Sequence, residues 1–316
     1  MKIIDMHCDT LSAMLNRKRQ GQTYGLDQHH TQISLDWMQQ SGYLLQNFAV
    51  FVNLEETQTP LQDALEMIDL FYSELEAHRD LIRPVRCFAD IEKNQSDGVM
   101  SALLTGEEGE ITLGKPEFLH ILYRLGMRMM TLTWNHENSL GYPNKQEKGL
   151  KEQGICFLQE MEHLGMIIDV SHLSDTGFYD VLAHTKKPFV ASHSNARALA
   201  RHPRNLTDEM IRALAERGGV AGINYYAPFL KDADKKMPLH GLCSDMVAHM
   251  KHMKQVGGIG CIGLGSDFDG IDTATEMKDC SGMQLLADVM SREGFTTGEI
   301  EAVFHDNVLR VYRELL

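Results

Sequence analysis

Short apolar runs alternate with segments of helical periodicity along this chain. The apolar residues of each run are consecutive, as in a strand that is buried on both faces, and each run is about as long as a strand. Turn-forming and polar residues bound most of the runs, which favours strands over buried helices. The eight runs that we predict as strands are residues 3–7, 45–52, 102–105, 128–133, 166–170, 189–192, 220–224 and 261–265.

Helices are predicted between these runs, where apolar residues recur every three or four positions. Three of them are followed by a glycine, at Gly165, Gly218 and Gly257. Glycine commonly ends a helix because it adopts the left-handed conformation without strain. The predicted helices are residues 61–78, 116–125, 149–164, 207–217, 244–256 and 297–315.

Eight alternating strand-helix units favour an α/β fold, the (β/α)8 TIM barrel, in which helices cover a closed parallel sheet. An open doubly wound sheet is the alternative, but it usually carries a glycine-rich phosphate loop after its first strand. No G-x-G-x-x-G follows Ile3 and Ile4. Because barrels of this kind reach the length of this chain as one unit, residues 1–316 are predicted to form a single domain.

Long polar stretches follow strands rather than helices, at residues 16–34, 136–148, 227–242 and 269–281. In a barrel these stretches would gather at the carboxyl ends of the strands. Active sites of this fold lie at that end. The chemistry is therefore expected at the C-terminal mouth.

The composition is that of a globular protein, with 43% hydrophobic residues, 23% charged residues and a net charge of −14. This excess of negative charge argues against nucleic acid or an anionic membrane surface as a partner. No apolar run is long enough to span a membrane. Six scattered cysteines without a C-x-x-C pair favour reduced thiols. We therefore expect a cytoplasmic protein with no nucleic-acid or membrane partner, and a homodimer stays open.

Side chains that bind metals follow five of the predicted strands. At the first of them His7 and Asp9 are two positions apart, so they point to the same side. Each such residue alone is equally well explained as a helix cap or a hydrogen-bonded loop residue. Together at one barrel mouth they favour a metal centre. The others are Glu107 or Glu108 after the third strand, His172 after the fifth, His193 after the sixth and Asp267 after the eighth.

The number of candidate ligands favours two ions rather than one. Two carboxylates and three imidazoles exceed the three ligands of a catalytic zinc that keeps an open position. A glutamate that bridges two ions about 3.5–4 Å apart would use all five and leave room for a bridging hydroxide. The sequence therefore predicts two Zn²⁺ ions per chain.

An ordered set of motifs resembles the renal or membrane dipeptidase family, peptidase family M19. The motifs are DMHCDT, the EEG turn, DVSH, SHSNARAL, HPRN and GSDFDG, and the resemblance continues through HDNVLRVY near the C-terminus. It implies a zinc dipeptidase on an amidohydrolase-like barrel. Members of this family accept a D-residue at the C-terminal position of the dipeptide, so the resemblance also implies cleavage of L-Ala-D-Ala.

The bridging glutamate is either Glu107 or Glu108. Strand alternation cannot decide between them, because both faces of a barrel strand are buried. We favour Glu108 because it directly precedes Gly109, as the family's ligand precedes its glycine. The resemblance then implies that His7, Asp9 and Glu108 bind the first zinc and that Glu108, His172 and His193 bind the second.

Three further residues are candidates for substrate binding. Arg204 lies in the HPRN motif, where its planar guanidinium suits the terminal carboxylate of a peptide, although a surface loop is the alternative. Tyr226 follows the seventh strand and is expected to line the same pocket. Members close to the renal enzyme carry a histidine where this chain has Trp134. Asn135 or His136 would then donate the hydrogen bond to the carbonyl oxygen.

The sequence thus predicts a zinc metallo-dipeptidase that hydrolyses small dipeptides with a metal-bridging hydroxide, while Asp267 passes a proton to the leaving amine. The alternative among enzymes is another binuclear amidohydrolase, acting on an N-acyl amino acid, a lactone or a cyclic amide. The alternative outside enzymes is a catalytically silent ligand-binding barrel. Such a protein would be expected to have lost a ligand, and all five are present.

Overall fold

The computed structural model of the protein describes residues 1–232 and 239–316. Part of the polar stretch predicted at residues 227–242 therefore lies outside the described residues. Within the described ranges the strands form one parallel sheet. They are β1 (Ile3–Asp5), β2 (Tyr43–Phe51), β3 (Ile82–Val85), β4 (Met100–Glu107), β5 (Met129–Thr131), β6 (Ile167–Asp169), β7 (Val190–Ala191), β8 (Val220–Ile223) and β9 (Ile262–Leu264).

The sheet closes on itself. Neighbouring strands follow the order β2-β1-β9-β8-β7-β6-β5-β4, and β2 also pairs with β4, from Leu45 opposite Ser101 to Phe51 opposite Glu107. This pairing completes a ring of eight strands in which β2 lies diametrically opposite β7. The predicted (β/α)8 barrel is confirmed, and its strands correspond to the eight predicted apolar runs.

One strand was not predicted. In β3 only Ile82 and Val85 are fully buried, and the residues between them, Arg83 and Pro84, break any apolar run. β3 pairs with the first half of β4, starting at Met100, on the side where β5 pairs with the second half. It therefore fills a gap at the amino end of the barrel and leaves the mouth unchanged.

Helices surround the barrel, and among the described residues none is both long and apolar enough to cross a bilayer. The six predicted helices are present within a few residues. The remaining helices were not predicted. The helices are α1 (Thr10–Arg19), α2 (Leu35–Ser41), α3 (Pro60–Ala77), α4 (Phe88–Ser96), α5 (Pro116–Arg124), α6 (Glu152–Leu164), α7 (Asp175–His184), α8 (Asp208–Glu216), α9 (Ala227–Leu230), α10 (Cys243–Gly257), α11 (Met283–Arg292), α12 (Thr297–Glu301) and α13 (Asn307–Leu315).

Two details of the helix ends differ from the prediction. The segment predicted as one helix at residues 297–315 contains a wider π-helical turn, Ala302–Asp306, between α12 and α13. Gly257 is the last residue of α10, and the residue of positive φ that ends this helix is Gly258, with φ of 83°.

Apolar side chains close the amino end of the barrel. Ile4, Leu103 and Ile167 project from their strands into one buried cluster with Val311 and Tyr312 of α13, which covers this end. The larger apolar cluster lies between the strands and the surrounding helices. Since the amino end is filled and covered, a substrate can enter the barrel only at the opposite, carboxyl end of the strands.

Candidate metal centre and substrate cavity

Five buried side chains from four strand ends meet at the mouth. Glu107, the last residue of β4, lies at the centre of the group. Its Oε2 is 3.2 Å from His7 Nε2, and its Oε1 is 2.9 Å from His172 Nε2 and 3.7 Å from His193 Nε2. Asp9 Oδ2 is 3.5 Å from His7 Nε2. The structure therefore brings together four of the five residues predicted as ligands, around a glutamate that was not chosen.

Glu108, which the sequence analysis favoured over Glu107 as the bridging ligand, does not belong to this group. Backbone φ of Glu108 is 106°, and this turn after β4 directs its side chain away from the histidines. Its carboxylate accepts hydrogen bonds from the backbone N–H of Trp134 at 2.9 Å and of Glu110 at 2.8 Å, and from the side chain of Asn138. Glu108 holds the loop after β5 in place.

The two histidines nearest to Glu107 Oε1 are held with Nε2 directed at the cluster. Ser192 donates its hydroxyl hydrogen to Asp169, so Ser192 Oγ accepts from His193 Nδ1 at 2.7 Å. His172 Nδ1 lies 3.1 Å from the amide oxygen of Asn135. Each ring therefore carries its proton on Nδ1 and presents an unprotonated Nε2, as a metal ligand must.

A matching carboxylate-serine pair supports the first strand. Asp5 accepts hydrogen bonds from the backbone N–H of Ser266 at 2.9 Å and from the backbone N–H of His7 at 3.3 Å. Asp169 accepts in the same way from the backbone N–H of Ser192, at 2.9 Å. Sequence reasoning missed these residues, although the chain carries a signal for them: the tripeptide Ile-Ile-Asp ends both β1 and β6.

Several nitrogen and oxygen atoms of the cluster have no hydrogen-bond partner among the described residues. Nε2 of His172 and His193 are 2.9 Å apart, a contact between two lone pairs unless a proton or a cation lies between them. His7 Nε2, Asp9 Oδ1 and Glu107 Oε2 are buried without a hydrogen-bond partner in the described part of the chain. Buried polar atoms are rarely left unpaired, and unpaired nitrogen and carboxylate donors that converge fit divalent metal ions.

The electrostatics of the histidines agree with this fit. Burial lowers the pKa of His172 to about 3, and the positive charge of Arg204 acts in the same direction. Burial likewise holds the pKa of His193 well below its usual range. For His7 burial also opposes protonation, but the carboxylates of Glu107 and Asp9 outweigh it and raise the pKa. The site therefore attracts a cation at His7 and keeps the other two imidazoles neutral.

Asp267 lies against the cluster, close enough to His7 and Asp9 to form a second group of possible metal ligands with them. Its Oδ1 is 3.7 Å from His7 Nε2, and its Oδ2 accepts a hydrogen bond from Asn224 Nδ2 at 2.9 Å. Its side chain is 14% exposed and faces the cavity. A Cβ at Gly270 would lie 2.0 Å from Asp9 Oδ2 and 2.6 Å from Asp267 Oδ1, so any other residue would displace both carboxylates. Because its carboxylate lies near His7 and faces the cavity, Asp267 can reach both the metal centre and a bound substrate.

Arg204 is a buried cation without a carboxylate partner among the described residues. Its guanidinium donates to Ser194 Oγ at 3.2 Å and to the carbonyl of His193 at 3.4 Å, and it lies over the ring of Phe229. Its Nε is buried without a hydrogen-bond partner there. Burial lowers the pKa of Arg204 to about 10, so it stays charged at neutral pH. A buried guanidinium that is charged and has no carboxylate partner among the described residues can bind an anion.

Arg204, Asp267 and the metal centre face one cavity of about 550 Å³. The predicted substrate residues Tyr226 and Asn135 also line it. Asn135, however, accepts with its amide oxygen beside His172 and from Asn144 Nδ2 at 3.0 Å, so half of its hydrogen-bonding capacity serves to position His172. His136 is directed elsewhere, with Nδ1 3.6 Å from Glu55.

The sequence matches the membrane dipeptidase family, peptidase family M19, over residues 1–315. An uncharacterised dipeptidase of Schizosaccharomyces pombe is 30% identical, and the alignment covers 99% of this chain and 80% of that protein. An uncharacterised protein from the pqqA 5′ region of Klebsiella pneumoniae is 32% identical over 78% of this chain and 97% of its own length. The chain therefore belongs to peptidase family M19, a family of metallo-dipeptidases.

Solved structures show the same fold. The dipeptidase AC, a metallopeptidase of family M19, superposes with a TM-score of 0.92 at 25% identity, covering 100% of this chain and 98% of that one. A metallopeptidase from Rhodobacter sphaeroides, in complex with a phosphinate mimic of the dipeptide L-Ala-D-Ala, superposes with a TM-score of 0.91 at 23% identity, covering 100% and 99%. The barrel with its helices is thus the fold of these metallopeptidases.

Proposed function

We propose that the protein hydrolyses the peptide bond of dipeptides with two zinc ions. The observation that carries this proposal is the joint placement of unpaired metal-binding atoms and an unpaired guanidinium in one cavity. The metal-binding atoms account for hydrolysis, and the guanidinium accounts for a substrate with a free carboxylate. A catalytically silent barrel would have no reason to retain both.

Glu107 is the bridging ligand of this proposal. His7 and Asp9 would hold one zinc ion together with Glu107, and His172 and His193 would hold the other. When bound, the zinc ions would polarise the scissile carbonyl and lower the pKa of a water molecule. The protein contributes the rigid strand ends and the hydrogen bonds that fix each imidazole, which keep the ligands in place.

Asp267 moves the proton. Its Oδ1 faces the ligands, so it can accept a proton from the attacking water and donate it to the nitrogen of the leaving amine. Asn224 holds the other oxygen and so fixes the carboxylate plane. Burial raises the pKa of Asp267, which favours transient protonation during this transfer.

Arg204 binds the terminal carboxylate of the dipeptide. Two donors of its fork are already directed by Ser194 and the His193 carbonyl, so the guanidinium is held in place before substrate arrives. Since the carboxylate is fixed at one side of the cavity, the configuration of the C-terminal residue need not decide whether the scissile bond reaches the metals. We therefore propose that a C-terminal D-residue is accepted, as the L-Ala-D-Ala mimic bound by the Rhodobacter protein suggests.

A hydrolysis assay on zinc-loaded protein tests this function. We expect turnover of L-Ala-L-Ala and L-Ala-D-Ala, and a large loss of kcat/KM on the corresponding C-terminal amides because Arg204 then has no anion to bind. Turnover of N-acyl amino acids without turnover of any dipeptide would replace the proposal by an aminoacylase activity. Equal turnover of acids and amides would remove Arg204 from the substrate site.

A further inference from the structure

A second cavity of about 240 Å³ adjoins the substrate cavity. The two share wall residues, among them Asn16 of α1 and Glu56 of the loop after β2, so they meet at a common boundary. The assigned roles of the metal ligands, Asp267 and Arg204 leave this space unused. Its walls come from α1, from the loop after β2 and from α3.

The second cavity lies across the barrel from Arg204. Arg204 belongs to the loop after β7, and β2 is diametrically opposite β7 in the ring. If Arg204 holds the C-terminal carboxylate, a dipeptide that spans the metal centre directs its N-terminal residue toward the β2 side. That residue's side chain then points to the boundary between the two cavities.

The walls of the second cavity define the side chain that it fits. Leu15, Val52 and Met67 are buried and supply an apolar lining. Asp63 is neutralised by Arg19 at 2.6 Å. Glu56 is exposed and has no ion-pair partner among the described residues; its carboxylate accepts a hydrogen bond from the amide of Asn53 at 2.9 Å.

We propose that the second cavity is the binding site for a long, unbranched and positively charged side chain at the N-terminal position of the dipeptide. This inference rests on the proposed function and names its substrate class: dipeptides that begin with lysine or arginine. The methylene groups lie against the apolar lining, and the cationic end reaches Glu56.

Four dipeptides with C-terminal glycine separate length from charge: Ala-Gly, norleucyl-Gly, Lys-Gly and Glu-Gly. We expect kcat/KM of norleucyl-Gly to exceed that of Ala-Gly by about tenfold, because it places methylene groups in an apolar site. Lys-Gly should exceed norleucyl-Gly by about threefold to fivefold, as expected for one partly exposed ion pair. Among norleucyl-Gly, Lys-Gly and Glu-Gly, we expect Glu-Gly to have the lowest kcat/KM.

Glu56→Gln tests the charge, and Glu55→Gln is the matched control. Glu55 is the adjacent exposed carboxylate but lies beside His136 and outside both cavities. We expect Glu56→Gln to bring the ratio of Lys-Gly to norleucyl-Gly close to one and Glu55→Gln to leave it at the native value. An unchanged ratio in Glu56→Gln would overturn the assignment of Glu56.

Asn16→Trp tests the cavity itself, with Lys18→Trp on the same helix as control, since Lys18 is exposed and lines neither cavity. A bulky ring at the boundary should reduce the ratio of norleucyl-Gly to Ala-Gly toward one, and the control should not. Circular dichroism and Tm of both variants verify folding.

Equal kcat/KM for all four substrates in the native enzyme would overturn this inference while leaving dipeptide hydrolysis intact. Absence of turnover on every dipeptide would instead overturn the proposed function, and the inference with it.

Discussion

The two ends of the barrel differ in how their buried polar groups are arranged. At the closed amino end Asn47 Nδ2 donates to the carbonyl of Met6 at 2.9 Å and lies 2.7 Å from the hydroxyl of Tyr312, so its amide is satisfied. At the mouth His7 Nε2 and Glu107 Oε2 are equally buried and have no hydrogen-bond partner among the described residues. Unpaired buried groups cost stability. Tyr43 and Gln46 also carry an unpaired oxygen, but at the mouth the unpaired atoms converge, which indicates where a ligand binds.

Backbone conformation shows the same contrast. Of the non-glycine residues with positive φ, Glu108, His172, Asp267 and Asp269 all lie at the mouth. Left-handed backbone is unfavourable for such residues, and it is retained where the surrounding structure fixes it. At His172 and Asp267 the residue in this conformation lines the cavity. The closed end contributes to the stability of the barrel, and the open end has the features of a binding site.

The largest effect is expected from Glu107→Gln, because the neutral amide removes the central charge of the metal site. We predict a loss of bound zinc and a decrease in kcat of about 10³-fold or more. Glu108→Gln is the matched control, one residue away. It should retain its zinc and most of its activity while Tm falls, because Glu108 holds a loop. The reverse pattern would restore Glu108 as the ligand.

Asp267→Asn comes next. The amide keeps the shape of the side chain but cannot accept a proton, so we predict a decrease in kcat of about 10²–10⁴-fold at native zinc content. Elemental analysis and steady-state kinetics on the same sample check this. Recovery of activity on addition of excess zinc would show instead that Asp267 serves to hold the metal.

Arg204→Ala should act on binding. Loss of a charge-assisted contact predicts an increase in KM of about tenfold to 100-fold with a smaller change in kcat. Arg204→Lys should restore binding only in part, because an ammonium group cannot form two parallel hydrogen bonds to a carboxylate. A decrease in kcat alone would argue against a role in holding the substrate.

The smallest functional effect is expected at the closed end. Tyr312→Phe removes the hydroxyl beside Asn47 and should lower the free energy of unfolding by about 1–2 kcal/mol. kcat and zinc content should stay at native values. A change in kcat comparable to that of the mouth variants would break the proposed division between the two ends.

Most of the fold could be predicted from the sequence because barrel strands are continuous apolar runs. β3 could not, since Arg83 and Pro84 interrupt its pattern and only its pairing with β4 identifies it. The positions of His7, His172 and His193 at one mouth followed from their places after strands. The single-domain assignment and the cytoplasmic location stay predictions.

The choice between Glu107 and Glu108 could not be made from the sequence. They are neighbours at the end of β4 and both are buried. The turn that separates their side chains shows only in the backbone of Glu108. The same limit applies to Asn135: its residue type suggested a donor to substrate, whereas its amide oxygen faces His172. In both cases a neighbouring element decides the direction of the side chain.

Zinc stoichiometry tests the central claim most directly. Metal-free protein is titrated with zinc, and excess ions are removed. Elemental analysis should then find two equivalents of zinc per chain, because a histidine nitrogen lies beside each carboxylate oxygen of Glu107. His172→Ala should then weaken one site and leave the other. Saturation at one equivalent in the native protein, unchanged by His172→Ala, would contradict the binuclear centre.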